Sequence, residues 1–141
     1  MITCTRRLEF DYGHRVFKHE SKCAHLHGHR GVIEITALAE LDSLGRVIDF
    51  SVLKKLIGGW IDTHWDHNMI LFIEDTQAIN AVKMISDNKD PFLLKTNPTA
   101  ENMADYLLKV VCPEVLKGTE VKVISVRFHE TPNGMAEAKY A

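Results

Sequence analysis

No apolar run in this chain approaches the roughly 20 residues that a membrane-spanning helix needs. No charged-then-apolar start with a cleavage site is present either, so neither a span nor a secretory leader is expected. Basic excess is also missing. The net charge is −2, which leaves broad nucleic-acid binding without its electrostatic footprint. Cysteine is scarce: Cys4, Cys23 and Cys112 are odd in number and irregularly spaced. That argues against a disulfide framework and suits free thiols in a reducing cytosol, so a cytoplasmic location is expected. Cys4 and Cys112 read as small core residues. Internal repeats and low-complexity tracts are absent. What remains is an ordinary globular composition, 45% hydrophobic and 26% charged over 141 residues. It is enough for one domain, 1–141, with a sizeable core.

The periodicities alternate between two and 3.6. Ile2 to Tyr12 and Arg30 to Leu41 read as strands, separated from Arg46-Val47-Ile48 by the turn residues Asp42-Ser43-Leu44-Gly45. A helix is expected from about Ser51 to Thr63, with Val52, Leu56, Ile57, Trp60 and Ile61 apolar and Asp49 as its cap. Gly58-Gly59 weaken that helix, which suggests close packing against a neighbour. A short helix over Asp75 to Ser86 and a polar loop over Asp87 to Pro91 follow. A second main helix begins after Asn97-Pro98, with proline in its first turn and Met103, Leu107, Val110 and Val111 as its buried stripe. The last strands, Val121–Glu130 and Met135–Tyr140, are joined through Thr131-Pro132-Asn133-Gly134. The order predicts an α+β fold: a four-stranded antiparallel sheet with two main helices on one face. Val121 and Val123 on one side, with Ile124, Val126 and Phe128 on the other, suggest a sheet apolar on both faces, which needs a second cover.

Chemistry concentrates near the N-terminus. His27 and His29 are separated by Gly28, and on a strand residues i and i+2 point to one face about 7 Å apart. Two imidazoles so placed can converge on one ion at roughly 2.0–2.1 Å. His14 as a third neutral ligand leaves the fourth position of a tetrahedral zinc open, the catalytic arrangement. Cys23 is either a further ligand or a thiolate acting beside the metal. Asp66-His67 reads as a surface pair after a helix or as a carboxylate–imidazole pair. Glu130, at a strand end, is a solvated glutamate or a bidentate acceptor for a ligand's N–H groups. Glu101 suits the start of the second main helix through the helix dipole. His64 is taken as solvent-exposed, and His19, His25 and His129 carry no assigned chemistry.

Taken in order, Phe10-x-x-Gly13-His14, Cys23-x-x-x-His27-Gly28-His29, Gly45-Arg46-Val47-Ile48-Asp49-Phe50, Asp66-His67, Asn97-Pro98-Thr99-Ala100-Glu101-Asn102 and His129-Glu130-Thr131 resemble the 6-pyruvoyltetrahydropterin synthase family. The three-residue gap between Cys23 and His27 is most similar to its bacterial 6-carboxy-tetrahydropterin synthase branch. The resemblance implies the tunnelling fold, in which three subunits join their sheets into a barrel and two trimers commonly stack, hence a homotrimer or homohexamer. It implies Zn2+ held by His14, His27 and His29, Cys23 as base with Asp66 and His67 as relay, and Glu130 as pterin anchor. It implies 7,8-dihydroneopterin triphosphate as substrate and 6-carboxy-5,6,7,8-tetrahydropterin as product, with no nicotinamide or flavin.

Two positions depart from the family pattern. Position 12 is usually small and position 31 usually aromatic, whereas this chain has Tyr12 and Gly31. Both share strand parity with the histidines, and the opposite size changes can preserve volume. The swap bears on substrate fit more than on metal binding. The alternatives are therefore 6-pyruvoyltetrahydropterin synthase activity proper, or a metal-binding oligomeric module that has lost turnover.

Overall fold

The computed structural model describes residues 1–85 and 89–141. Its centre is a six-stranded mixed sheet in the order β4-β3-β1-β2-β5-β6. The strands are β1 (Thr3–His14), β2 (His27–Leu38), β3 (Asn68–Phe72), β4 (Phe92–Leu94), β5 (Lys122–Thr131) and β6 (Gly134–Lys139). The expected antiparallel four are present as β1-β2-β5-β6. The sheet is nevertheless larger than expected, because β3 and β4 add to β1 in parallel. Both are short, and neither shows a clean period of two.

One face of the sheet is apolar. Leu8, Phe10 and Tyr12 of β1, Ile33, Ile35 and Ala37 of β2, and Val123, Val126 and Phe128 of β5 all lie in the core. The expectation of two apolar faces fails at a bulge. Thr36 pairs with Ser125 but Ala37 pairs with Val123, so Ile124 is an extra residue. The bulge resets parity and turns Val123 to the same side as Val126 and Phe128. The opposite face is polar, carrying the Thr5–Thr36 hydroxyl pair, the Arg30–Asp11 ion pair and the His129–Glu34 contact at 2.7 Å.

The apolar face is covered by two helical stretches. The first runs through Phe50–Leu53, a π-helical segment Lys54–Gly58, and Gly59–His64. Asp49 caps it, accepting a hydrogen bond from the Ser51 amide at 2.8 Å. Leu53, Ile57 and Ile61, four apart, face the core, while Val52 lies on the exposed side. A Cβ at Gly58 would meet Leu8 at ordinary contact distance, and one at Gly59 would face open space. The second stretch runs through Ala100–Tyr106, Leu107–Val111 and Cys112–Val115. Met103, Leu107 and Val111 are buried as expected, but Val110 is exposed. Thr99, not Pro98, is the cap residue, and its side chain accepts from the Asn102 amide. Pro98 therefore lies just outside the helix. Cys112 is buried, which pushes its thiol up to about 12, and Cys4 is half-buried. The third helix, Thr76–Ile85, buries Ala78 but leaves Ile85 exposed. Ser86, at its expected end, and Asp87 and Asn88, in the expected polar loop, lie outside the described residues. No helix among the described residues is long and apolar enough to cross a membrane.

Candidate metal centre and its surroundings

The β1–β2 register builds the centre. His14 lies opposite His27 and Tyr12 opposite His29, with Gly13 opposite Gly28 between them. Directly paired residues share a face, as do i and i+2. All three imidazoles therefore emerge on the core side where the strands end. Their ring centroids are 4.7 Å (His14–His27), 5.1 Å (His14–His29) and 4.9 Å (His27–His29) apart. One ring nitrogen from each lies within 4.8 Å of the others. The glycines suit close approach: a Cβ at Gly13 would push the Met69 side chain aside, and one at Gly28 would sit 3.2 Å from the Tyr12 carbonyl.

Backbone carbonyls set the tautomers. His14 Nδ1 donates to the Pro98 carbonyl at 2.6 Å, and His27 Nδ1 donates to the His25 carbonyl at 2.6 Å. The hydrogen belongs on Nδ1 because a carbonyl can only accept, which leaves each Nε2 with a free lone pair. Burial pushes His14 down to about 4, against the opposing pull of the Pro98 hydrogen bond, and His27 and His29 lower it further. Burial lowers His29 as well, with Glu130 opposing. Neutral imidazoles are the form a metal needs.

Glu130 completes the picture. Its Oε1 is 3.4 Å from His14 Nε2 and 3.8 Å from His29 Nε2. With His14 neutral and its hydrogen on Nδ1, this is not an ion pair. A lone pair then faces a carboxylate oxygen, an arrangement that a cation between or beside them would reconcile. His29 Nε2 is buried without a hydrogen-bond partner among the described residues. The donor set thus fits a divalent metal with nitrogen ligands. Glu130 itself sits where the β5–β6 register slips between His129 and Thr131, a bulge that re-aims its side chain.

The loop after His14 is held from a distance. Asn97 Oδ1 accepts from the Phe17 amide at 2.8 Å, its Nδ2 donates to the Phe17 carbonyl at 3.1 Å, and Asn102 Nδ2 ties down the Asn97 carbonyl at 2.9 Å. Arg15 forms a two-pronged pair with the buried carboxylate of Asp75, at 2.7 and 2.5 Å. Sequence reasoning missed both devices. The Asn97-Pro98 motif was visible, but not that its carbonyl orients a histidine. Glu101 is exposed on the first helical turn, as the dipole reading expects.

Cys23 lies in a 3₁₀ turn, Lys22–Ala24, and its carbonyl accepts from the Val16 amide at 2.8 Å. The thiol is half-buried and is not one of the mutually close donor atoms. Asp66 and His67 stand elsewhere. Asp66 accepts from the Asp11 amide at 3.0 Å and contacts His67 Nδ1 at 3.0 Å, while the His67 amide donates to the Asp11 carbonyl at 2.6 Å. Burial raises Asp66, but its hydrogen bonds from the Asp11 amide and His67 outweigh this and hold it below its ordinary value. His67 has φ of 55° and an exposed side chain. Asp11 alternates away from His14 along β1, and the Cys23 thiol is not grouped with the Asp66 and His67 donor atoms. His64 is half-buried against Trp60, with centroids 4.7 Å apart, rather than free in solvent.

Fold and donor set together define a mixed-sheet α+β protein built around a three-histidine centre. The chain belongs to the 6-pyruvoyl tetrahydropterin synthase family, whose pattern matches residues 3–140. It is 43% identical over 138 residues to the 6-carboxy-5,6,7,8-tetrahydropterin synthase of Rickettsia bellii, covering 97% of this chain and 99% of that one. Its fold is similar to that of the Caenorhabditis elegans 6-pyruvoyl tetrahydropterin synthase, with TM-score 0.72, 25% identity and coverage of 99% and 96%. An uncharacterized protein of Wolinella succinogenes shares the fold at TM-score 0.81, with 24% identity and coverage of 99% and 98%.

Proposed function

We propose that the chain is a zinc-dependent 6-carboxy-5,6,7,8-tetrahydropterin synthase acting on 7,8-dihydroneopterin triphosphate. The observation that carries the reading is the convergence of ring nitrogens of His14, His27 and His29, two of them beside Glu130, in a chain 43% identical to a relative of that name. His14, His27 and His29 would hold the zinc, which would supply Lewis-acid polarisation of side-chain oxygens on the substrate. Glu130 accepts the ring N–H and exocyclic amine of the pterin and so orients it. Cys23 would act as the base that takes a proton from the substrate side chain, and His67, oriented by Asp66, would carry it onward.

Asp66 and His67 lie on the Asp11 side of β1, so this relay calls for a neighbouring chain to present them to Cys23. The open edge of β1 supports such an assembly. β3 pairs with β1 only at Tyr12 to His14, which leaves Thr3 to Asp11 without a strand on that side among the described residues. An open edge is a template for pairing with another chain. We therefore place the activity in a homotrimer, alone or paired into a hexamer. Incubation of the purified protein with 7,8-dihydroneopterin triphosphate, followed by mass analysis, tests the reading. The expected products are 6-carboxy-5,6,7,8-tetrahydropterin, acetaldehyde and triphosphate. A pyruvoyl product instead, or unchanged substrate, would overturn it.

A further inference from the structure

Tyr12 forms one wall of the histidine centre. It lies opposite His29 in the β1–β2 pair. Its ring centroid is 5.2 Å from His14 and 5.8 Å from His29. The ring leans across Gly31, where a Cβ would sit 3.0 Å from Tyr12 Cε1 and 3.0 Å from Phe10 Cε1. Glu130 follows His129 on β5, one step beyond the Val32–His129 pair, so it stands on the far side of Gly31. The ring thus spans from β1 toward the carboxylate. Tyr12 is 4% exposed, and its hydroxyl is buried with no hydrogen-bond partner among the described residues. Phe10 and Phe128, at 5.3 and 5.7 Å, pack against the ring and offer it nothing polar.

A buried O–H without a partner is costly, and phenylalanine would fill the same volume without that cost. The hydroxyl therefore needs a partner that the described residues do not supply.

We infer that Tyr12 is a ligand-recognition residue whose O–H donates a hydrogen bond to an acceptor on the heterocycle held by Glu130. The inference rests on the pterin reading above. Ionised Glu130 only accepts, so it takes ligand N–H groups. In a 2-amino-4-oxo ring, the atom next to those donors is a carbonyl oxygen. A carboxylate beside a neutral O–H complements that donor–donor–acceptor edge. A site built this way discriminates against rings that lack the acceptor. Position 12 thereby replaces apolar contact with polar reading.

The test is Tyr12→Phe, with two readouts. Neopterin, a 2-amino-4-oxopteridine without the triphosphate, is titrated into the zinc-loaded protein by fluorescence, and the ligand-free protein is melted. The expected Kd for neopterin rises about tenfold, while the ligand-free Tm stays level or rises. A purely structural role would not move the two in this way. If wild-type protein binds no neopterin, the pterin reading is overturned and the inference with it. If wild type binds and Tyr12→Phe matches it within about twofold, the Tyr12 assignment alone is overturned. A fall in ligand-free Tm would show that the hydroxyl is bonded inside the protein and would equally overturn the assignment.

Discussion

His14 and Pro98 are 84 residues apart in sequence, yet the imidazole Nδ1 of one donates to the carbonyl of the other at 2.6 Å. This single bond ties the end of β1 to the start of the second main helix and fixes which nitrogen of His14 faces the centre. The Asn97 side chain holds the same junction through both polar groups of Phe17. The purified protein should carry about one zinc per chain, and the triple alanine variant of His14, His27 and His29 should carry none. Asn97→Ala touches no proposed ligand but should weaken zinc binding about 10- to 100-fold, the usual scale for outer-shell partners. Chelator competition measures both, and full zinc retention in the triple variant would end the ligand assignment.

Cys23→Ala should retain zinc and lose at least roughly a hundredfold in turnover, as expected for a general base. The thiol stands outside the cluster of donor atoms, so metal content and rate should separate. Joint loss of both would make Cys23 a ligand.

Cys23→Ala and His67→Ala should each be nearly inactive alone. Subunits of the two, unfolded together and reassembled, should regain activity, because some sites then combine an intact Cys23 with an intact His67 from a neighbour. Light scattering should show a trimer or hexamer. A stable monomer, or no recovery in confirmed mixed oligomers, would remove the shared-site arrangement.

Gly31→Tyr should destabilise the fold by about 1–3 kcal/mol, because the new ring meets both Phe10 and Tyr12. Tyr12→Ala should destabilise it through a cavity. The double variant should be better than the sum of the two, with a coupling of about 0.5–3 kcal/mol in denaturant unfolding. Additive effects would show that the rings do not share a volume.

Asp75→Ala should cost about 3–5 kcal/mol, since it leaves the largely buried Arg15 guanidinium without its partner. Urea unfolding reads the loss directly. A change below about 1 kcal/mol would place this pair with weak surface bridges.

Much of the centre was legible before any coordinates. His27 and His29 share a face because a strand has a period of two, and that holds wherever the strand lies. Asp49 caps its helix for an equally local reason, whereas the last hairpin turns at Pro132-Asn133, with Gly134 already in β6 and at ordinary φ. The pairing of His14 with His27 is different: it depends on the β1–β2 register, which the whole hydrophobic face sets. The bulges at Ile124 and Glu130 defeat parity because one inserted residue inverts everything after it, and no local preference marks the spot. β3 and β4 are too short to show a period and form only because β1 offers an edge. Sequence by itself determined which side chains could act and which neighbours share a face. Tertiary structure alone decided that the Pro98 carbonyl orients His14, that Asp75 holds Arg15, and that Asp66–His67 is anchored on the Asp11 backbone. Those contacts join segments tens of residues apart, and only the packed core brings them together.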